Sequence, residues 1–174
     1  MEILLEDGYR ALTLQKIAQR AGVGRQTLYR WWRCKADIAL EALSRRTAHE
    51  IPPPDTGRAA SDLVQLMEES GAVLKKDSGP IVLGLLAEAS LDEEFAAKFW
   101  KHFQSRRRQV VKDILARGIA RGELPPGLDP EFWADLFFGG LLYRLVGRQA
   151  FIDRSFGEKL AELLPTNQPD EPDT

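Results

Sequence analysis

GYRALTLQKIAQRAGVGRQTLYRWWRCKADI, residues 8–38, carries the reading of the 174-residue chain. Thr13 stands just before LQKIAQRA, where its side-chain oxygen can accept from a free amide in the first turn of a helix. Gly22 follows that helix and supplies a turn conformation that other residues adopt only at a cost. A second short helix is expected over about 25–31. Ala18, Gly22 and Leu28 fall four and then six residues apart, with Ile17, Ala21 and Val23 in the remaining apolar slots. A small residue that lets two helices approach, a glycine at the turn and an aliphatic residue that locks the second helix down make the pattern of a helix-turn-helix.

The same stretch holds Arg25, Arg30, Arg33 and Lys35, with Tyr29 and the adjacent Trp31 and Trp32. Core helices avoid such charge, and solvated helices rarely expose tryptophan twice running. A partner that accepts cations together with aromatic or hydroxyl contacts is therefore expected opposite. On the residues alone, Tyr29 and Trp31 also read as core, and Thr13 as a helix cap, a role compatible with an outside contact. Arg33 reads as a solvated charge, and Cys34 as a small tolerated residue.

Charge along the chain points the same way. Residues 1–50 hold nine Lys and Arg against six Asp and Glu, whereas the remainder holds fifteen against twenty. A basic end on an acidic body suits a polyanion-binding module on an otherwise repelled carrier. Hydrophobic residues at 44% and charged residues at 29% are globular values, so a real core is expected. One cysteine excludes a disulfide framework and a multi-thiolate metal site, and suits a reducing cytoplasm. No apolar run is long enough to span a membrane, and MEILLEDG does not resemble a signal peptide.

Helix punctuation continues to the end. A third helix is expected from Lys35 towards Glu50, burying Ile38, Leu40 and Leu43, until IPPPDTG (51–57) breaks it. Beyond this linker, Leu63, Leu66, Met67 and Leu74 keep helical spacing, and Pro80 reads as the first turn of a fresh helix. Asp92 opens a long helix with Phe95, Phe99, Phe103, Val110, Ile114 and Leu115 in a stripe, ending near Gly122. SRRRQ within it reads as a solvated face. Asp129-Pro130 starts the next helix, and a final one covers about 154–164. There is no strand pattern and no internal repeat.

Residues 8–38 resemble the amino-terminal DNA-binding domain of the tetracycline-repressor (TetR/AcrR) family of bacterial transcription regulators. The match runs through Gly8-Tyr9, Thr13, Ile17-Ala18, Ala21-Gly22-Val23, Thr27-Leu28-Tyr29, Trp31-Trp32 and Lys35. It implies an all-α protein: a three-helix helix-turn-helix domain (1–50), the linker 51–57, and a helical ligand-binding and dimerisation domain (58–165), followed by a disordered acidic tail (166–174). It also implies DNA contacts from Thr13, Arg25, Gln26, Thr27, Tyr29, Arg30, Trp31 and Lys35. Arg25, Gln26 and Thr27 would face base edges, where arginine can donate twice to guanine and glutamine twice to adenine. Thr13, Tyr29, Trp31 and Lys35 would meet phosphates, with Arg30 as added charge or a base reader and Trp32 in the core. Two departures stand out. Gly24 replaces the family's usual capping serine, and only MEILLED precedes Gly8, so the first helix is expected short or truncated.

LLAEASLDEEFAAKF, RGIARGEL and LDPEFWADLFFGGLLYRLV more loosely resemble the family's carboxy-terminal domain, whose last two helices pair across a dimer. Residues 132–146 are apolar on nearly every side, which requires a second copy or the middle of one subunit to cover them. Phe132, Leu136, Gly139, Gly140 and Tyr143 are the expected interface of a homodimer. The family's effector would be apolar or aromatic here, with Phe103 and Phe137 as lining residues, although such a stripe also reads as core. Partners are thus double-stranded operator DNA, a small-molecule effector and a second subunit, with no membrane. No enzyme is expected: His49 and His102 lack metal-ligand spacing, and GxSxG and P-loop motifs are missing. No cofactor and no metal are expected. Released from a palindromic operator by its effector, such a dimer would be a cytoplasmic repressor.

Overall fold

Caps and glycines set the helix ends in the computed structural model, which describes residues 1–147 and 151–167. The expected tail lies outside the described residues from 168 onward. Ten α-helices follow in order: α1 Glu2–Ala11, α2 Leu14–Ala21, α3 Arg25–Tyr29, α4 Lys35–Glu50, α5 Ala59–Val73, α6 Gly79–Ala89, α7 Glu93–Phe99, α8 Ser105–Ala120, α9 Pro130–Gly147 and α10 Arg154–Ala161. Every regular element among the described residues is helical. Thr13, Asp92 and Asp153 cap α2, α7 and α10 by accepting from Lys16, Phe95 and Phe156 amides at 3.0–3.1 Å. Asp129 accepts the Glu131 amide at 2.9 Å and so starts α9, with Pro130 first in the helix.

Pro80 stands in the first turn of α6, as expected, but no break precedes it. A π-helical turn, Leu74–Ser78, joins α5 to α6. The wider turn accommodates a proline that has no N–H to give and would crowd an ordinary α-turn. A second π turn, Trp100–Gln104, joins α7 to α8, so the long helix read from Asp92 is continuous in chain but not in pitch.

The contacts group into two units, 1–52 with 72–106 and 53–71 with 107–174, whose boundary falls within α5 and α8. Residues 72–106 therefore associate with the amino-terminal helices. The core of this first unit includes Leu12, Ala18, Leu28, Leu40, Leu43, Ile81, Leu85, Phe95 and Phe99. Tyr9 seats α1 on α6: its ring lies where a Cβ on Gly84 would be, and its hydroxyl donates to Glu88 Oε1 at 3.0 Å. Burial, reinforced by the Glu88 carboxylate, pushes the Tyr9 phenol far above its ordinary value.

The second unit buries Leu63, Leu66, Met67, Val111, Ile114, Leu115, Trp133 and Phe137. Val111 takes the buried place and Val110 is only half-buried, one residue off the expected stripe. A polar knot pins the proline linker in this unit. Asp62, with no exposed surface, accepts the Thr56 amide at 2.6 Å and hydroxyl at 2.7 Å, and pairs with Arg117 at 3.3 Å. Arg117 also donates to the Pro54 carbonyl at 2.6 Å.

SRRRQ is not a solvated face. Successive residues of a helix turn by about 100°, so three consecutive arginines cannot share one side. Arg106 points outward, whereas Arg107 and Arg108 are buried. Arg108 pairs with Glu131 at 2.8 Å and with Asp135 of α9. Burial pushes the Arg107 guanidinium down to about 10, against the opposing pull of Glu69.

Candidate nucleic-acid interface

Helices α2 and α3 form the helix-turn-helix that the spacing implies. Gly22 ends α2 at φ 67°, ψ 27°, in the left-handed region where a Cβ is penalised. The Val23 amide then returns to the Ala18 carbonyl at 3.1 Å, closing the turn. Ala18 and Leu28 are buried where the two helices meet. Burying Leu28 on the inner side leaves its neighbours outside: Arg25, Gln26, Thr27, Tyr29 and Arg30 are all exposed. Trp31 is 73% exposed, a large apolar surface with no covering element among the described residues. Gly24 stands at the start of α3 and supplies no side-chain cap.

The charges around this tip are sorted by position. Lys16 of α2 pairs with Asp7 at 3.0 Å, and Arg20 with Glu6 at 2.6 Å, so α1 neutralises the outer cations of α2. Arg33 is held by Glu94, and that guanidinium, together with Lys98, keeps the Glu94 carboxyl below the ordinary carboxylate range. Arg25 and Arg30 have no ion pair among the described residues. The tip of α3 thus keeps its cations free while those behind it are neutralised, an arrangement suited to phosphate walls and base edges in a major groove.

Thr13 is exposed as well as capping, so its hydroxyl serves α2 from a surface position. Lys35 is less free. Its ammonium donates to the Tyr9 carbonyl at 3.3 Å and lies 4.7 Å from the Tyr9 ring centre. That carbonyl is accessible because the helical path of α1 breaks at Gly8, φ 76°. Trp32, expected in the core, is half-buried, and its indole N–H donates to Glu41 Oε2 at 2.9 Å. The indole needs a polar acceptor at the core edge, which its position in the sequence does not reveal.

Phe132, Leu136, Gly139 and Tyr143 lie on one exposed side of α9, with Tyr143 81% exposed and Val146 continuing the row. Their alternating steps of four and three residues form a seam suited to a neighbouring helix. Trp133, Ala134, Phe137 and Leu141 occupy the buried side. Gly140 faces inward instead, where a Cβ would come within 2.8 Å of the Phe156 ring of α10. Phe103 is half-buried against Phe99, ring centres 5.4 Å apart, and belongs to the first unit. Phe137, in the second unit, is fully buried with its ring edge-on to Phe138. Among the described residues no cluster of three His, Cys, Asp or Glu could hold a metal ion, and no helix is long and apolar enough to cross a membrane.

Comparison with known proteins gives this geometry its family. Residues 1–42 match the model of bacterial regulatory proteins of the tetR family, and residues 53–164 match the tetracyclin repressor-like C-terminal domain. An HTH-type transcriptional regulator of Bacillus subtilis, YdeS, is 35% identical over 83% of this chain and 73% of its own length. The DNA-binding transcriptional repressor TetR of Mycobacteroides abscessus is 25% identical over 94% of this chain and 87% of its own. The crystal structure of the TetR family transcription regulator SCO0332 superposes with a TM-score of 0.83 at 27% identity, covering 92% of this chain and 88% of that one. The exposed α3, the family models and these relatives agree: the chain belongs to the TetR family of DNA-binding transcriptional regulators.

Proposed function

We propose that the chain is a homodimeric, cytoplasmic repressor that binds a palindromic operator and is released by a small apolar or aromatic effector. The observation that carries this reading is the tip of α3, where Arg25 and Arg30 have no ion pair among the described residues and Tyr29 and Trp31 stay exposed around the buried anchor Leu28. In this reading Arg25, Gln26 and Thr27 read bases, while Thr13, Tyr29, Trp31 and Lys35 hold phosphates and Arg30 does either. The seam of Phe132, Leu136, Gly139 and Tyr143 supports a twofold pairing, with Gly140 supporting it from behind through α10. Such a pair presents two reading helices about one DNA turn apart, roughly 34–36 Å. The domain scheme 1–50, 51–57 and 58–165 remains the functional division proposed. An effector acts by favouring dimers whose reading helices are wrongly spaced.

The test is fluorescence anisotropy with duplexes from the DNA flanking the chain's own gene. If each subunit neutralises about four phosphates, log affinity falls against log salt with a slope of around −7. A specific complex insensitive to salt would end this reading.

A further inference from the structure

A groove of about 700 Å³ runs beside α4 within the first unit. Asp37, Leu40, Glu41 and Arg45 of α4 line one side, and Lys98, His102 and Arg106 the other. Trp31, Trp32 and Arg33, the residues leading into α4, line it as well. Lys98 bonds Asp37 at 3.3 Å, which places it by the start of α4 and near those three residues. His102 and Arg106 follow four and eight residues later, through the π turn Trp100–Gln104, so Arg106 stands roughly two turns further along.

The lining is internally neutralised at one end and open at the other. Arg33 and Lys98 are taken by Glu94 and Asp37, and Arg45 by Glu41 at 2.6 Å. Arg106 and His102 have no partner among the described residues. Four cations line the groove against two carboxylates, and since Glu94 outside the lining takes Arg33, the cation left over is Arg106. The exposed indole of Trp31 offers an aromatic face, and Leu40 is buried beneath. A free guanidinium donates to a carboxylate in charge-assisted bonds, and an aryl ring prefers an aromatic partner. The volume is that of a small-molecule site.

We propose that this groove binds an amphipathic organic monoanion, an arylalkanoate whose ring lies on Trp31 and whose carboxylate reaches Arg106. Because Trp31 belongs to the reading head, occupancy weakens DNA binding, and operator weakens occupancy by the same factor. This coupling, though not the binding, rests on the DNA-contact reading of Trp31 given above.

Calorimetric titration of the full chain with 6-phenylhexanoate tests the site without DNA. Saturable binding is expected, at least tenfold weaker for 6-phenylhexan-1-ol, for benzoate, and for the Arg106→Gln and Trp31→Ala variants. Both positions are exposed, and unchanged circular dichroism confirms that the variants fold. Absence of saturable binding, equal affinity for the alcohol, or wild-type affinity in Arg106→Gln overturns the proposal. A second arm adds 6-phenylhexanoate to the operator complex. Operator affinity should fall at least tenfold in wild type and stay unchanged in Arg106→Gln, whose side chain is outside the DNA contacts. Intact ligand binding with unchanged operator affinity overturns the coupling. A chain that binds 6-phenylhexanoate but no DNA overturns the repressor reading instead.

Discussion

Replacing Asp62 by alanine removes the centre of the polar knot that holds the proline linker. The carboxylate has no exposed surface and accepts two bonds from Thr56 and one from Arg117. Breaking a buried pair by removing one partner costs about 3–5 kcal/mol. Here Arg117 is one-third exposed and retains the Pro54 carbonyl, and Thr56 can turn to water, so the low end applies. About 3 kcal/mol at 2–4 °C per kcal/mol lowers the melting temperature by roughly 6–12 °C. Asp62→Asn keeps an oxygen for Thr56 but puts an NH2 group, which cannot accept from Arg117, in place of the second oxygen, so roughly half the effect is expected. Thermal melts followed by circular dichroism at 222 nm measure both. A loss under 1 kcal/mol for the alanine variant, or an asparagine variant as damaged as alanine, would refute the assignment of this energy to the charged knot.

Three further outcomes are expected. Arg25→Ala relaxes base preference at one operator position by about 1–3 kcal/mol, whereas Lys35→Ala weakens all duplexes about equally, as anisotropy on specific and scrambled DNA would reveal. Leu136→Glu combined with Tyr143→Glu converts the dimer to monomer by sedimentation velocity, since it sets charges on the open seam of α9; a dimer that survives both would redirect the interface elsewhere. The third concerns acid. The Arg121 guanidinium, helped by the Ala59 amide, holds the Glu123 carboxyl below its ordinary range. Its contribution to stability is full above that range and lost as pH falls through the lowered value. Urea midpoints between pH 6 and pH 3 should therefore drop less steeply in Glu123→Gln, and parallel profiles would contradict the pairing.

Local chemistry made much of the fold legible. Thr13, Asp92 and Asp129 read as caps because a short oxygen before an apolar run has few other uses, and each accepts a first-turn amide. Gly22 and Leu28 were equally readable, since the turn and its anchor depend on neighbours within ten residues. What stayed hidden depends on distant partners. Arg107 and Arg108 look solvated until α5 and α9 bring Glu69, Glu131 and Asp135 against them. Trp32 reads as core until Glu41 meets its indole N–H. Pro80 reads as the first turn of α6 and is found there, but the sequence does not announce the π turn that joins α6 to α5 without a break. The association of 72–106 with the amino-terminal helices is likewise set by Tyr9, Gly84 and Glu88, residues separated by about half the chain.

The π turn at Leu74–Ser78 acts as a phase shifter. An α-helix advances about 100° per residue, and a bulge holding one extra residue rotates everything after it by about that angle. Gly84 and Glu88 are the residues so rotated, and they are the ones that receive Tyr9. Were the same residues wound as a regular α-helix with none removed, Gly84 and Glu88 would turn by about 100° and the tyrosine would confront a different side of α6. The bulge is thereby part of the address that tells the first helix where to dock.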